Sequence, residues 1–150
     1  MRIAVVTDNL SLSRGGSECY LLSLVARLIA AGHDVHTFHN RGFDWIEGGK
    51  YHVIRPANYP RFLREWDFCR QVNRRVRILS PDVVLTVRPL SSATHYRLSN
   101  GVHIRCFEAE REAFDSALRR LFYRTGSRLN PKRRLLVRAQ RGLLTRVRRP

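Results

Sequence analysis

Apolar positions along the chain follow two rhythms. Residues 2 to 7, RIAVVT, form a compact β-branched run, which predicts a strand buried on both faces. Residues 8 to 16 are polar and glycine-containing, which predicts a loop. Leu21, Leu24, Val25, Leu28 and Ile29 then recur at helical spacing, predicting a helix over about 17–31. Gly32 stands where a helix C′ glycine belongs. DVHTFHN, residues 34 to 40, alternates and predicts a second strand. Strand, loop, helix and strand make a βαβ unit with a right-handed crossover.

After a loop over 41–49, KYHVIRP predicts a third strand, ended by Pro56. Residues 60 to 79 are helical in pattern. Phe62, Trp66, Cys69, Val72, Val76 and Leu79 are expected on one face, and six arginines on the rest. Ser80-Pro81 stops that helix. DVVLTV, residues 82 to 87, is a fourth strand with the continuous apolar character of a parallel-sheet centre. A weaker fifth strand runs through 94–99, followed by an Asn100-Gly101 turn signal. From about Phe107 onward the pattern is helical and basic, with Asn130-Pro131 as N-cap and first helical position. Leu136, Leu143, Leu144 and Val147 form an apolar stripe near its end. The order predicts an α/β fold: a Rossmann-like parallel sheet with helices on both faces and a basic helical C-terminal segment.

Charge changes this picture. The net charge of the 150 residues is +16. Residues 1 to 103 carry a net of +6, and residues 104 to 150 a net of +10. Such a balance implies an anionic partner: a membrane surface, nucleic acid or a phosphorylated substrate. All the cations but Lys50 and Lys132 are arginine. That usage fits phosphate recognition, and it fits a GC-rich genome equally well. Cys19, Cys69 and Cys106 are odd in number and widely spaced, which argues for a reducing compartment and against a disulfide framework. No stretch approaches the ~18 apolar residues of a membrane span. The chain is expected to be cytoplasmic, or held peripherally on the inner face of the cytoplasmic membrane.

The candidate chemistry starts at Gly15-Gly16. In a doubly wound sheet, ligands bind beyond the carboxyl ends of the strands. The 8-to-16 loop lies at such an end and leads into a helix N-terminus, where free N–H groups favour an anion. Two glycines there either let a substrate or phosphate approach the backbone, or simply join strand to helix as a mobile turn. Neither the dinucleotide nor the P-loop glycine motif is present.

RIAVV, then Arg14-Gly15-Gly16-Ser17-Glu18, then a helix ending in Gly32-His33-Asp34-Val35, resembles the amino-terminal domain of a retaining GT-B glycosyltransferase of the G-G-x-E group. PDVVLTVRP is similar to the strand that precedes the acceptor region. SNGVHIRCFEAER resembles a segment of lipopolysaccharide core glucosyltransferases. The resemblance implies transfer of a sugar from a nucleotide sugar to a glycan or lipid-linked acceptor. It implies that Gly15 and Gly16 admit the donor phosphates or the acceptor. Glu18 then sits in the first helical turn, where it also complements the helix pole. His103 is the catalytic candidate, hydrogen-bonding the sugar, with a structural histidine as the alternative. Arg88 is placed for an anionic acceptor, or is an ordinary solvated arginine.

The chain also departs from the family. The donor-binding domain of such enzymes carries an Arg/Lys pair and two glutamates eight residues apart, and no two Glu here have that separation. The chain is therefore expected to be an incomplete, truncated domain with little turnover of its own. Neither cofactor nor metal is expected, since no D-x-D motif occurs; the nucleotide sugar is a substrate.

The basic segment 105–150 mixes arginines with Phe107, Phe114, Leu118, Leu121, Phe122 and Tyr123. It is either an amphipathic surface for an anionic membrane or the core side of ordinary helices. A non-catalytic module binding membrane or nucleic acid is the competing function. Nucleic acid is disfavoured, because no helix-turn-helix, zinc finger or RNP-type strand appears.

Overall fold

In a computed structural model, the structure describes residues 1–11, 16–42, 44–57, 60–97 and 103–147. Within the helices, the side chains of residues 61–62, 103–104, 127–128, 131–132, 135–136, 143–144 and 146–147 lie outside that description. The chain forms two compact units, residues 1–97 and 98–150.

The first unit contains β1 (Arg2–Val6), α1 (Gly16–Ala30), β2 (Asp34–His39), β3 (Lys50–Val53), α2 (Arg61–Leu79), β4 (Val83–Thr86) and β5 (His95–Tyr96). All strand pairings are parallel, in the order β3-β2-β1-β4-β5. This is the Rossmann-like α/β arrangement that the alternating pattern predicts. The order reverses between β1 and β4, so the crevice beyond their carboxyl ends is the topological switch point.

Alternation along β1 builds two cores. Ala4 and Val6 point to one face, where they pack with Phe38, Val84 and the α2 residues Phe68, Val72 and Val76. Ile3 and Val5 point to the other, with Val35 and the α1 residues Leu21, Leu22 and Val25. Helices therefore cover both faces. α1 ends in a Schellman motif: the Gly32 amide donates to Ile29 O at 2.9 Å and the His33 amide to Leu28 O at 3.1 Å. Gly32 has φ +78°, the left-handed geometry its sequence position implies. α2 ends on Ser80, also left-handed at φ 48°.

Two expectations need correcting. Trp66 is not a core residue; it is 51% exposed, and Phe68 fills the core position instead. Phe68, Val72 and Val76 repeat every four residues, whereas Trp66 lies about 120° around the helix from Val72. The third strand is also shorter than its run. The Ile54 amide still donates to His39 O at 2.7 Å, but the chain then leaves the sheet. β5 pairs with β4 through Leu85↔His95 and Thr86↔Tyr96, and residues 98–99 of the expected fifth strand lie outside the described residues.

The second unit holds α3 (His103–Glu112), α4 (Ala117–Leu129) and α5 (Pro131–Val147). Helix thus begins at His103, earlier than the pattern from Phe107 indicated. Asn130 caps α5 as expected, its Oδ1 accepting from the Arg133 amide at 3.3 Å. Inside this unit the Arg133 guanidinium lies 4.4 Å over the Phe107 ring and 5.0 Å over Tyr123. Its Nη1 donates to Tyr123 Oη at 2.6 Å, and its Nη2 pairs with Glu110 at 3.3 Å. The apolar segment is therefore divided: Phe107, Phe114 and Tyr123 gather around Arg133, while Leu118, Leu121, Phe122 and Leu129 are 58–76% exposed. The stripe Leu136, Leu143, Leu144 and Val147 falls among the side chains outside the description.

Candidate functional site

Parallel register brings the site together. Val6 on β1 pairs with Thr86 on β4, so the residues two places beyond each, Asp8 and Arg88, leave the sheet side by side. Each strand exit is folded over by its threonine. Thr7 Oγ1 donates to Asn9 O at 3.0 Å, and Thr86 Oγ1 donates to Arg88 O at 2.9 Å. Both threonines are buried, which sets the direction in which Asp8 and Arg88 depart.

Arg88 meets two carboxylates in this crevice. Its Nε donates to Asp8 Oδ1 at 2.8 Å, and its Nη2 pairs with the other oxygen of the same carboxylate. Its Nη1 lies 3.2 Å from Glu65 Oε1, supplied by the second turn of α2. The three side chains are 23–29% exposed, so the triad is largely shielded from water. Burial lowers the proton affinity of Arg88, and Tyr96 opposes that shift. A guanidinium nevertheless stays charged at neutral pH.

This geometry alters what Arg88 can do. It is not a freely solvated arginine, and its charge is already matched by Asp8 and Glu65. The bidentate fork to Asp8 is the strong form of the pair. The Asp8 carboxylate offers about four acceptor positions, more than the arginine occupies. The crevice is thus equipped to accept hydrogen bonds from hydroxyl groups as well as to hold a cation in place. Cys69, one turn along α2 from Glu65, is no nucleophile. Burial pushes its thiol up to about 12, and Glu65 adds to the shift.

The loops beyond β1 and β2 are tied together beside the crevice. Asp8 O accepts from the Arg41 amide at 3.0 Å, and the Leu10 amide donates to Gly42 O at 3.1 Å. His39, fully buried, places Nδ1 2.7 Å from Arg41 O, and burial holds its imidazole below the ordinary range.

Of the residues predicted from sequence, Gly16 opens α1 and Glu18 stands in its first turn, at the same carboxyl edge as Arg88. Among the described residues, a Cβ at Gly16 would meet nothing within 4 Å, so their packing does not require glycine there. Gly15 lies outside the described residues, as does the side chain of His103. His103 belongs to the second unit and the other candidates to the first. Asp8 and Glu65 were not anticipated. The signal for Asp8 was present, an acid at the exit of one central strand matched by a base at the exit of its neighbour. Glu65 had none, because its partner is 23 residues away in sequence. No group of side chains fit to hold a metal ion occurs among the described residues, and none of their helices is long and apolar enough to cross a membrane.

No family model matches the chain, and no curated protein matches it by sequence. Among solved structures it is similar to the crystal structure of WaaG, a glycosyltransferase involved in lipopolysaccharide biosynthesis, with a TM-score of 0.66 and 16% identity. The likeness covers 91% of this chain and 35% of that one, so the chain spans about a third of that protein's length. At that identity the likeness establishes the fold: this chain has the Rossmann-like α/β architecture found in a glycosyltransferase.

Proposed function

We propose that the chain is the acceptor-side domain of a retaining GT-B glycosyltransferase of the G-G-x-E group. It takes part in moving a hexose from a nucleotide sugar to a glycan or lipid-linked acceptor, of which a lipopolysaccharide core is the leading example. The observation that carries this reading is the switch-point crevice: Asp8, Glu65 and Arg88 beyond β1 and β4, beside the glycine-opened start of α1, on the fold of a sugar-transferring enzyme. In the reaction the bond from the sugar to the diphosphate breaks, a bond to an acceptor hydroxyl oxygen forms, and the hydroxyl proton passes to the departing diphosphate. The carboxylates of Asp8 and Glu65 receive hydrogen bonds from acceptor hydroxyls. Arg88 pairs with both carboxylates and orients them. The amides of the α1 N-terminus, uncovered at Gly16, favour the negative charge of the donor or acceptor. His103 remains the candidate that hydrogen-bonds the sugar.

Hydrogen exchange on the purified chain tests this, with a lipopolysaccharide core oligosaccharide added alone and with a nucleotide sugar. The oligosaccharide is expected to protect residues 7–10, 16–18 and 86–88. Absence of that protection, together with protection of the same segments by duplex DNA, overturns the reading in favour of a nucleic-acid module.

A peripheral membrane location has its own observation. α4 exposes Leu118, Leu121, Phe122 and Leu129 beside Arg119, Arg120 and Arg124. That is the composition of a helix lying in an anionic interface. Cosedimentation with phosphatidylglycerol vesicles should partly survive high salt and should lose that portion in Phe122→Asp. Binding to vesicles and DNA alike that vanishes with salt would reduce the charge to a non-specific footprint and remove the membrane from the proposal.

A further inference from the structure

Away from the crevice, the outer face of α2 forms a groove of about 600 Å³, walled on one side by the segment after β4. Its lining includes Trp66, Arg70, Asn73, Arg74, Arg77 and Ile78. These positions recur at helical spacing, so they form one stripe about 18 Å long. The groove is within the size range of small-molecule sites. Asn73 fixes its wall, with Oδ1 accepting from the Ser92 amide at 3.1 Å.

The charge of this groove is of one sign. α2 has two acidic residues, and both turn elsewhere: Glu65 to Arg88, and Asp67 to the Ala57 amide at 2.8 Å and Gln71 Nε2 at 2.9 Å. Among the described residues, no acid lines the groove. Arg70 lies 5.4 Å over the Trp66 ring, and Trp66 keeps half its surface exposed. Arg70 covers one face of the indole, and with Arg74 and Arg77 it sets three guanidinium forks beside the exposed remainder of the ring, which together describe a particular ligand chemistry. Planar forks match phosphate oxygens in pairs, as an ammonium does not. An indole face takes the C–H face of a pyranose ring.

We infer that this groove binds a phosphorylated sugar, with the ring against Trp66 and its phosphates held by Arg70, Arg74 and Arg77. A flat bilayer would need neither the concavity nor the Asn73-supported wall. The inference rests on the proposed function for its place in the reaction. In that reaction the phosphorylated sugar belongs to the acceptor glycan and is held apart from the crevice, since the groove shares no residue with the triad.

The test reads Trp66 fluorescence in the otherwise intact Trp45→Phe chain, at constant ionic strength. The ligands are glucose 1,6-bisphosphate, glucose 6-phosphate, glucose and inorganic phosphate. The bisphosphate should bind saturably with Kd below about 1 mM, more tightly than the monophosphate, with no response to glucose. Arg74→Ala should raise Kd about tenfold, while Arg134→Ala on α5 should leave it unchanged. Both arginines are exposed, and circular dichroism checks that the variants fold. No saturation, equal binding of inorganic phosphate, or equal losses in the two variants would overturn the inference. Displacement of the bisphosphate by phosphatidylglycerol vesicles but not by glucose 6-phosphate would overturn it in favour of a membrane surface. Failure here leaves the exchange protection at residues 7–10 and 86–88 intact, so the two proposals fail separately.

Discussion

Residues 1–97 and residues 98–150 are both rich in apolar positions at regular spacing, yet they use them differently. In the first unit the periodic positions meet across a sheet. Val5, Val6, Val25, Val35, Phe38, Phe68 and Val72 are at most 1% exposed. In the second, an equally regular set on α4 remains open to solvent, with Phe122 at 76% and Leu129 at 74%. The difference follows from what each element can pair with. A parallel strand buries both faces and obliges helices to cover it. A helix has one apolar stripe, and among the described side chains of the second unit Arg133 stacks on Phe107 and Tyr123, with Phe114 against Tyr123, and the α4 set takes no part in that cluster. Spacing states which face is apolar; it does not state what covers that face.

The largest effect that would break this contrast is a core truncation. Phe68→Ala is expected to cost about 3–5 kcal/mol in urea unfolding, and Phe122→Ala within about 0.5 kcal/mol of zero. Similar losses from the two substitutions would mean that α4 is covered in solution.

Next comes the polar centre of the first unit. Arg88→Met leaves Asp8 and Glu65 without their shared cation in a shielded crevice. It is expected to destabilise by about 3 kcal/mol, whereas Arg134→Ala on exposed α5 should cost less than about 0.5 kcal/mol. A neutral Arg88→Met would show that water, not the arginine, satisfies the carboxylates.

Acid should separate the units further. Burial lowers the affinity of His39 and of His52 for a proton, and Coulombic repulsion from His36 contributes at His52. The unfolded chain therefore binds more protons below the ordinary histidine value of about 6.5. The stabilisation is present above that pH and is lost as pH falls through the depressed folded values, by at most about 1.4 kcal/mol per pH unit for each group. The points of loss are the buried ring of His39 and the ring of His52, which stacks on His36 with ring nitrogens 2.9 Å apart. Thermal unfolding of the first unit from about pH 7 to 5 reads this slope, and a flat profile would exclude it.

The smallest stability effect is the most informative about function. Gly16→Ala should change stability by less than about 1 kcal/mol, because a Cβ there meets nothing within 4 Å among the described residues. The same substitution should weaken oligosaccharide or nucleotide-sugar protection of residues 16–18. A large stability loss with unchanged protection would make that glycine structural.

Much of the first unit was legible beforehand. The βαβ order, the C′ glycine at 32 and the central strand over 82–87 each follow from local rules, and each is found within a residue or two. Three-residue steps from Trp66 through Cys69 to Val72 drift by about 60° each, which carries Trp66 off the face that Phe68, Val72 and Val76 share although apolar spacing groups them. In the candidate site, Gly16 and Glu18 lie at the edge their sequence context indicated. The partners of Arg88 did not follow from any local pattern. Asp8 is 80 residues from it and Glu65 is 23, and only strand register and helix placement make them neighbours.

The sequence by itself therefore determined what short-range physics controls: which segments are strand or helix, where helices stop, and that the chain is strongly cationic. The tertiary structure decided which charges stay free. It drew the acids of α2 inward to Arg88 and to the Ala57 amide, and left Arg70, Arg74 and Arg77 along an outer groove. A count of charges cannot make that division, because ion pairing depends on distances of a few ångströms between residues far apart in the chain.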